Sequence, residues 1–109
     1  ISSGELHSVE DICRIAFSYF GYNYKDFIMV KDALKRPKEK TILLGDSTKA
    51  KKLLNGQTIL TFHESISATI SWYAAFNEKK LDMDKFTLSQ IENYSKKTKQ
   101  MNTSNLLKI

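Results

Sequence analysis

The sequence predicts a small α/β domain in which three or four helices alternate with short strands. Two stretches with apolar residues at helical spacing each begin with a capping-box pattern, which is typical of amphipathic helices. Two short apolar runs, 27–30 and 41–44, have the length and composition of strands. With 109 residues, the chain is long enough for one small core and too short for a complete dinucleotide-binding fold plus a separate substrate lobe.

The first helix is predicted to follow Ser8. Ser8 is a favourable N-cap, Asp11 completes the capping box, and Gly21 is expected to end the helix in a left-handed conformation. The single cysteine, Cys13, lies on the apolar stripe without a histidine nearby on that face, so we interpret it as a small buried hydrophobe. One cysteine excludes an internal disulfide framework. The stripe consists of Val9, Ile12, Cys13, Ala16, Phe17 and Phe20.

Two more helices are predicted further along the chain. The second begins at Asp46 or Ser47 and ends at the Asn-Gly pair that follows Leu54. The third begins with the capping box of Thr61 and Glu64. The residues expected to face inward are Ala50, Leu53 and Leu54 in the second helix and Phe62, Ile66, Thr69, Ile70, Tyr73 and Phe76 in the third, broadened by Trp72.

The positive charge lies mainly in the last third of the chain. Of the net charge of +5, residues 79–109 contribute +4, from seven lysines against three acidic residues. We treat 79–109 as a Lys-rich C-terminal appendage, helical, docked on a partner, or partly disordered, and expect a modest helix over 84–99 with an irregular apolar stripe. Fifteen of the seventeen basic residues are lysine. Nucleic-acid surfaces favour arginine, so a nucleic-acid partner is not expected.

The motifs of self-sufficient enzymes are missing from the sequence. It contains no glycine-rich phosphate loop, no nucleophile elbow, and no cluster of metal ligands, since His7 and His63 are far apart in sequence. It also lacks an apolar run of about 20 residues and a signal peptide, so we expect a cytoplasmic location and no membrane partner. The first residue is Ile, which suggests a piece of a longer chain.

One short segment, Arg36-Pro37-Lys38-Glu39, has side chains suited to holding a ligand, and we call it the clamp. Pro37 favours an extended Arg36, and a guanidinium held in this way can form paired bonds to a phosphate or diphosphate. Glu39 can accept hydrogen bonds from two sugar hydroxyls. The alternative from the residues alone is a solvated charged loop.

The order of several short motifs resembles the C-terminal part of the GDP-mannose 4,6-dehydratases, which belong to the extended short-chain dehydrogenase/reductase family. The resemblance covers residues 3–76. Its motifs are Gly4-Glu5-Leu6-His7-Ser8-Val9-Glu10-Asp11 with Ala16-Phe17 and Gly21, then Tyr24-Lys25-Asp26-Phe27, Arg36-Pro37-Lys38-Glu39, Leu44-Gly45-Asp46-Ser47-Thr48-Lys49-Ala50-Lys51, Leu53-Leu54-Asn55, and Thr61-Phe62-His63-Glu64.

The resemblance implies that residues 1–78 form a C-terminal sugar-nucleotide-binding lobe, helix-rich with short strands. Arg36 would contact the diphosphate of a GDP-sugar substrate, and Glu39 the ribose. NADP and the catalytic Tyr-x-x-x-Lys pair would belong to a missing N-terminal lobe, so this segment would bind no cofactor, and the full enzyme would be a homo-oligomer. The alternatives are another sugar-nucleotide epimerase or reductase, or a non-catalytic interaction module.

Overall fold

The computed structural model describes residues 2–35, 42–79 and 81–107. Contacts divide the chain into two compact units, Ile1–Thr58 and Ile59–Ile109. The first unit contains α1 (Val9–Tyr19), two short 3-10 helices (Tyr24–Asp26 and Asp32–Leu34) and α2 (Thr48–Leu54), and the second contains α3 (Phe62–Glu78) and α4 (Met83–Leu107).

The predicted α/β fold class is wrong, because the described residues form helices and loops without a strand. In the run 27–30, the backbone amides of Phe27 and Ile28 both donate to the carbonyl oxygen of Tyr24, at 3.1 Å, and so continue the 3-10 turn. Of the run 41–44, residues 42–44 form an irregular loop, and Thr41 lies outside the described residues. A strand needs a second strand for its backbone hydrogen bonds, and a short apolar run does not specify that partner.

Helix α1 has the boundaries that its local sequence predicts. Ser8 and Asp11 form both bonds of the capping box, each at 3.0 Å. At the other end Gly21 has a φ of 77°, and the amide of Tyr22 donates to the carbonyl oxygen of Phe17 at 2.9 Å. These are the features of a Schellman C-cap, so the predicted left-handed end of this helix is confirmed.

Aromatic rings hold the first unit together, yet none of its described side chains is fully buried. Phe17 stacks on Phe27 with ring centroids 5.2 Å apart, which joins α1 to the segment after the first 3-10 helix. Cys13, which was predicted to be buried, is half-buried.

In α2, Leu53 and Leu54 are 70% and 79% exposed, so the prediction that they face inward is wrong. No described element of this unit covers that side of α2.

The second unit is a pair of packed helices. Thr61 and Glu64 cap α3 as predicted, and α3 ends at Lys79, whose φ is 53°. Helix α4 packs along α3 and runs well beyond the helix expected over 84–99. The predicted inward face of α3 is partly wrong, since Tyr73 and Phe76 are 57% and 54% exposed.

The side of α3 that meets α4 carries small and polar residues. Ala75 is 6% exposed, and the indole Nε1 of Trp72 donates to Thr87 Oγ1 at 2.9 Å. One turn along α4, Gln90 Nε2 donates to the carbonyl oxygen of Ala68 at 2.9 Å. Small residues let the helix backbones approach each other, and the polar bonds then fix the register of the pair.

Helix α4 occupies most of the last third of the chain. The division into a substrate lobe at 1–78 and an appendage at 79–109 stays a prediction, while the contact-based division falls at Thr58 and Ile59. None of the described helices combines the length and the apolar character needed to cross a membrane.

Candidate functional site

The two predicted site residues, Arg36 and Glu39, lie outside the described residues. The chain that leads to them is described up to Lys35. The backbone of Lys35 is extended, with φ −66° and ψ 124°, and its ammonium lies 2.6 Å from Oδ1 of Asp32.

The first unit contains a cleft of about 520 Å³ between α1 and the segment that follows it. We call it the α1 cleft. Its volume is within the range of small-molecule sites in proteins, about 300–1,000 Å³. The residues that line it are Val9, Glu10, Cys13, Tyr24, Lys25, Ile28 and Val30.

A tyrosine and a carboxylate form the polar centre of the α1 cleft. The hydroxyl of Tyr24, which is half-buried, donates a hydrogen bond to Oε1 of Glu10 across the 14 positions that separate them. This bond, followed by burial and by the negative charge of Glu10, raises the pKa of Tyr24 above its ordinary value. Tyr24 therefore remains a neutral donor at physiological pH. A carboxylate can accept about four hydrogen bonds, so one hydroxyl leaves Glu10 with acceptor capacity for a ligand.

The remaining wall of the α1 cleft is apolar apart from one cation. Val9 and Cys13 lie one helical turn apart on α1, and Ile28 and Val30 face them from the following loop. Lys25 also lines the cleft. The cleft thus combines an apolar wall with a few polar residues, the usual composition of a small-molecule site.

The sequence does not predict this cleft. Its apolar spacing places Val9 and Cys13 on a core-facing stripe, and the run 27–30 has the composition of a strand. The spacing of Val9 and Cys13 put them on one helix face, but nothing in the sequence showed that residues 24–30 would lie beside that face and form a cleft with it.

The second unit has a groove of about 410 Å³ along the α3–α4 contact. Its polar groups mostly bond to each other. Gln90 Nε2 donates to the carbonyl oxygen of Ala68 and lies 3.1 Å from Ser71 Oγ, while Lys97 Nζ lies 2.5 Å from Oε1 of Glu64. These bonds join the two helices, and the groove is therefore a structural contact.

The two histidines make local bonds within their own units. His7 Nε2 lies 3.2 Å from Oε2 of Glu5, and His63 Nδ1 lies 3.4 Å from the hydroxyl of Ser67, one turn along α3. Across the ranges that the structure describes, no three His, Cys, Asp or Glu side chains are grouped closely enough to hold a metal ion.

Two proteins of Arabidopsis thaliana are similar to this chain. GDP-mannose 4,6 dehydratase 2 is 30% identical over 70 residues, and GDP-mannose 4,6 dehydratase 1 is 29% identical over 70 residues. The chain resembles GDP-mannose 4,6-dehydratases. The similar stretch covers 64% of this chain and 19% of each relative, so the match spans about a fifth of the length of these curated proteins. No protein-family model and no solved structure matches the chain.

The similar stretch is 70 residues long, which is close to the length of the segment 3–76 that carries the motifs. It confirms the resemblance that those motifs indicate. It also makes a region related to a sugar-nucleotide enzyme the best-supported description of this chain.

Proposed function

We propose that this chain is the substrate-binding portion of an enzyme resembling GDP-mannose 4,6-dehydratase, which converts GDP-mannose to GDP-4-keto-6-deoxymannose. The observation that carries the proposal is the 70-residue similarity to two proteins of that name. The α1 cleft supports it, because the cleft lies in the first unit, directly before the predicted clamp in the sequence.

In this proposal Arg36 binds the diphosphate and Glu39 binds the ribose. A guanidinium presents parallel N–H donors that match two phosphate oxygens, and a carboxylate accepts from two neighbouring hydroxyls. Residues with these roles hold the substrate in position without taking part in bond making. Their contribution to catalysis is orientation.

The residues of this chain do not fit NADP, the cofactor that the resemblance implies for the parent enzyme. The chain has four glycines and lacks the glycine-rich turn that binds a pyrophosphate. Tyr24, which lines the α1 cleft, is followed four positions later by Ile28 and not by Lys. We therefore assign the cofactor to a separate N-terminal lobe of the parent enzyme, and we propose separately that this parent enzyme is cytoplasmic and homo-oligomeric.

The ribose contact can be tested with GDP and 2′,3′-dideoxy-GDP. Calorimetric titration into the unmodified protein should show weaker binding of the dideoxy analogue. Glu39→Gln should weaken GDP binding and reduce the difference between the two ligands, whereas Glu92→Gln on the exposed side of α4 should change neither. Equal binding of both ligands by the unmodified protein would contradict the assigned role of Glu39.

Two other functions are alternatives to this proposal. An epimerase or reductase acting on another sugar nucleotide would need the same clamp. The observation in favour of a non-catalytic interaction module is the sequence on either side of the clamp: Leu34-Lys35 stands where the family usually has an aromatic residue, and Lys40-Thr41 where it has a hydrophobic–acidic pair. The coding sequence upstream of Ile1 separates enzyme from module, since a glycine-rich first turn and a Tyr-x-x-x-Lys pair would be present only in the enzyme.

A further inference from the structure

The α3–α4 pair has an exposed apolar surface beside its contact. Four large side chains there are each 54–58% exposed, and we call this surface the apolar face. Two of them lie three positions apart on α3 and two lie three positions apart on α4, so each pair is adjacent on its helix. The members of the apolar face are Tyr73, Phe76, Leu88 and Ile91.

Helix geometry places both pairs on the same side of the α3–α4 contact. The two helices are joined by the four residues 79–82 and run antiparallel. Successive helical residues are about 100° apart, so Ile91 and Phe76 each lie one such step beyond a residue of the contact, Gln90 and Ala75. In antiparallel helices that face each other, the same rotation leads to the same side. The groove of the second unit lies on the other side, where Ser89 precedes Gln90.

The aromatic part of the apolar face is held in place within α3. The ring of Phe76 stacks on the indole of Trp72 with centroids 5.5 Å apart, and Tyr73 meets the same indole edge-on at 5.4 Å. The indole is itself fixed by its hydrogen bond to Thr87. Side chains restrained in this way lose less conformational freedom when a partner covers them.

The second unit has little interior of its own. Among its described residues only Ile59 and Ala75 are buried apolar side chains. Helices in proteins are stabilised mainly by the packing of an apolar face, and here the larger apolar side chains remain exposed to solvent. A further layer of helices against the apolar face would therefore stabilise the pair.

The area of the apolar face is sufficient for a small dimer interface. A large aromatic side chain has a surface of about 150–250 Å², and Leu and Ile have somewhat less, so four half-exposed side chains present roughly 400 Å². Two copies of the face would remove roughly 800 Å² of apolar surface from water. A specific interface buries about 1,200–2,000 Å² in total, of which about 60% is apolar.

The charges beside the apolar face are self-complementary in one orientation. Lys85 and Glu92 are two turns apart on the same side of α4, and they flank Leu88 and Ile91. The ammonium of Lys85 lies 3.9 Å from Asp82 Oδ2, and its side chain is 85% exposed. If two α4 helices pack antiparallel, each lysine meets a glutamate of the other copy. Parallel packing would instead place each charge beside its own kind.

We propose that the apolar face binds a second copy of this chain in an antiparallel, two-fold symmetric dimer. Leu88 packs against Ile91 of the partner subunit, and Lys85 lies beside Glu92 of the partner subunit. Because the interface is isologous, each of these contacts occurs twice. The inference rests on the homo-oligomer in the proposed function and assigns a surface to it. It does not depend on the substrate, since α4 lies outside the motifs of residues 3–76.

Sedimentation of the 109-residue chain over a series of concentrations tests for the dimer. We expect a species with twice the mass of the 12.5 kDa chain to accumulate between about 1 µM and 1 mM, as for an interface of modest size. A chain that remains monomeric at the highest concentration would overturn the proposal.

The decisive variant is Ile91→Lys, which places an ammonium group in the apolar face of both copies. The dimer should weaken roughly 30-fold or more, as for a residue at the centre of an interface. Asn93→Lys adds the same charge on the groove side of α4 and should leave the dimer nearly unchanged. Circular dichroism checks that α4 remains helical in each variant. Equal weakening in the two variants, or a dimer that survives Ile91→Lys, would overturn the proposal.

Charge reversal tests the antiparallel orientation without a change in the apolar side chains. Lys85→Glu and Glu92→Lys should each weaken the dimer roughly five-fold, because each dimer contains the ion pair twice. The double variant Lys85→Glu/Glu92→Lys restores opposite charges and should recover most of the affinity. A double variant as weak as the single ones would overturn the orientation proposed here. This test remains informative if Ile91→Lys fails to fold.

Titration of GDP into the same chain separates this inference from the substrate assignment. A dimer that depends on Ile91, formed by a chain that does not bind GDP, would support the apolar face and contradict the substrate assignment. Binding of GDP that depends on Arg36, by a chain that is monomeric at every concentration, would overturn the apolar-face dimer alone. Absence of both would overturn both.

Discussion

Lys97 of α4 and Glu64 of α3 are 33 positions apart in sequence, and Lys97 Nζ lies 2.5 Å from Glu64 Oε1. The other oxygen of the same carboxylate, Oε2, accepts from the backbone amide of Thr61 at 2.8 Å. The side chain of Glu64 therefore caps the first turn of α3 and also joins that turn to α4. The stability of the second unit should depend on the ionisation of Glu64.

Unfolding of the chain should depend on pH through Glu64. The ammonium of Lys97 and then the amide of Thr61 lower the pKa of this carboxyl below its ordinary value. Because the folded pKa is the lower one, ionised Glu64 stabilises the folded chain above the unfolded value, and that contribution is lost as the pH falls through the folded value. Thermal unfolding between pH 6 and pH 3, followed by circular dichroism, should show a steeper loss of Tm in the unmodified chain than in Glu64→Gln. Parallel curves for the two proteins would contradict this role.

Removal of the N-cap hydroxyl should destabilise α3. In Thr61→Ala the amide of Glu64 loses the acceptor that lies 3.2 Å away, and the loss in unfolding free energy should be about 1 kcal/mol. Urea unfolding measures this difference. Thr69→Ala is the matched control, because the hydroxyl of Thr69 bonds only to the Ser65 carbonyl oxygen of its own helix. Equal losses in the two variants would show that the cap has no special effect.

Enlargement of the buried position in the α3–α4 contact should separate the two helices. Ala75 is 6% exposed, and a leucine there would overpack the contact at a cost of about 1–3 kcal/mol. Ala74→Leu changes a neighbouring, half-buried residue by the same volume and should be tolerated better. Fluorescence of Trp72, which bonds to Thr87 across the contact, reports the change together with the unfolding curve. A similar cost in both variants would contradict the packing described for this face.

The elements that the sequence predicts correctly are those determined by residues close together in the chain. Ser8 with Asp11 and Thr61 with Glu64 are three positions apart, and both capping boxes form as expected. The left-handed Gly21 is also a local feature, since its conformation needs no distant partner. Local hydrogen bonds and backbone preferences are therefore sufficient to place these helix ends.

The errors concern contacts between distant segments. The strand prediction for 27–30 failed because a strand requires a partner elsewhere in the chain, and here the run continues from the 3-10 turn at Tyr24. The extent of α4 was underestimated because polar side chains, including Gln90 and Thr87, make its bonds to α3. A search for apolar stripes does not detect such a contact.

The candidate site was predictable only in part for the same reason. The chemistry of Arg36 and Glu39 follows from their residue types and spacing, and their roles remain proposals. The α1 cleft depends on the hydrogen bond between Tyr24 and Glu10, which no local sequence pattern predicts.

Calorimetric titration of GDP-mannose and GDP tests most directly whether this chain binds a sugar nucleotide through Arg36. The two ligands are titrated into the natural full-length protein and into its Arg36→Ala variant. Binding should weaken by roughly ten-fold or more on the substitution, as expected for the loss of a hydrogen bond to a charged group, while Arg14→Ala should have little effect. Arg14 is the appropriate control because its guanidinium is paired with Asp11 on α1. Equal binding by the unmodified protein and Arg36→Ala, or no binding by either, would contradict the claim and favour the interaction module.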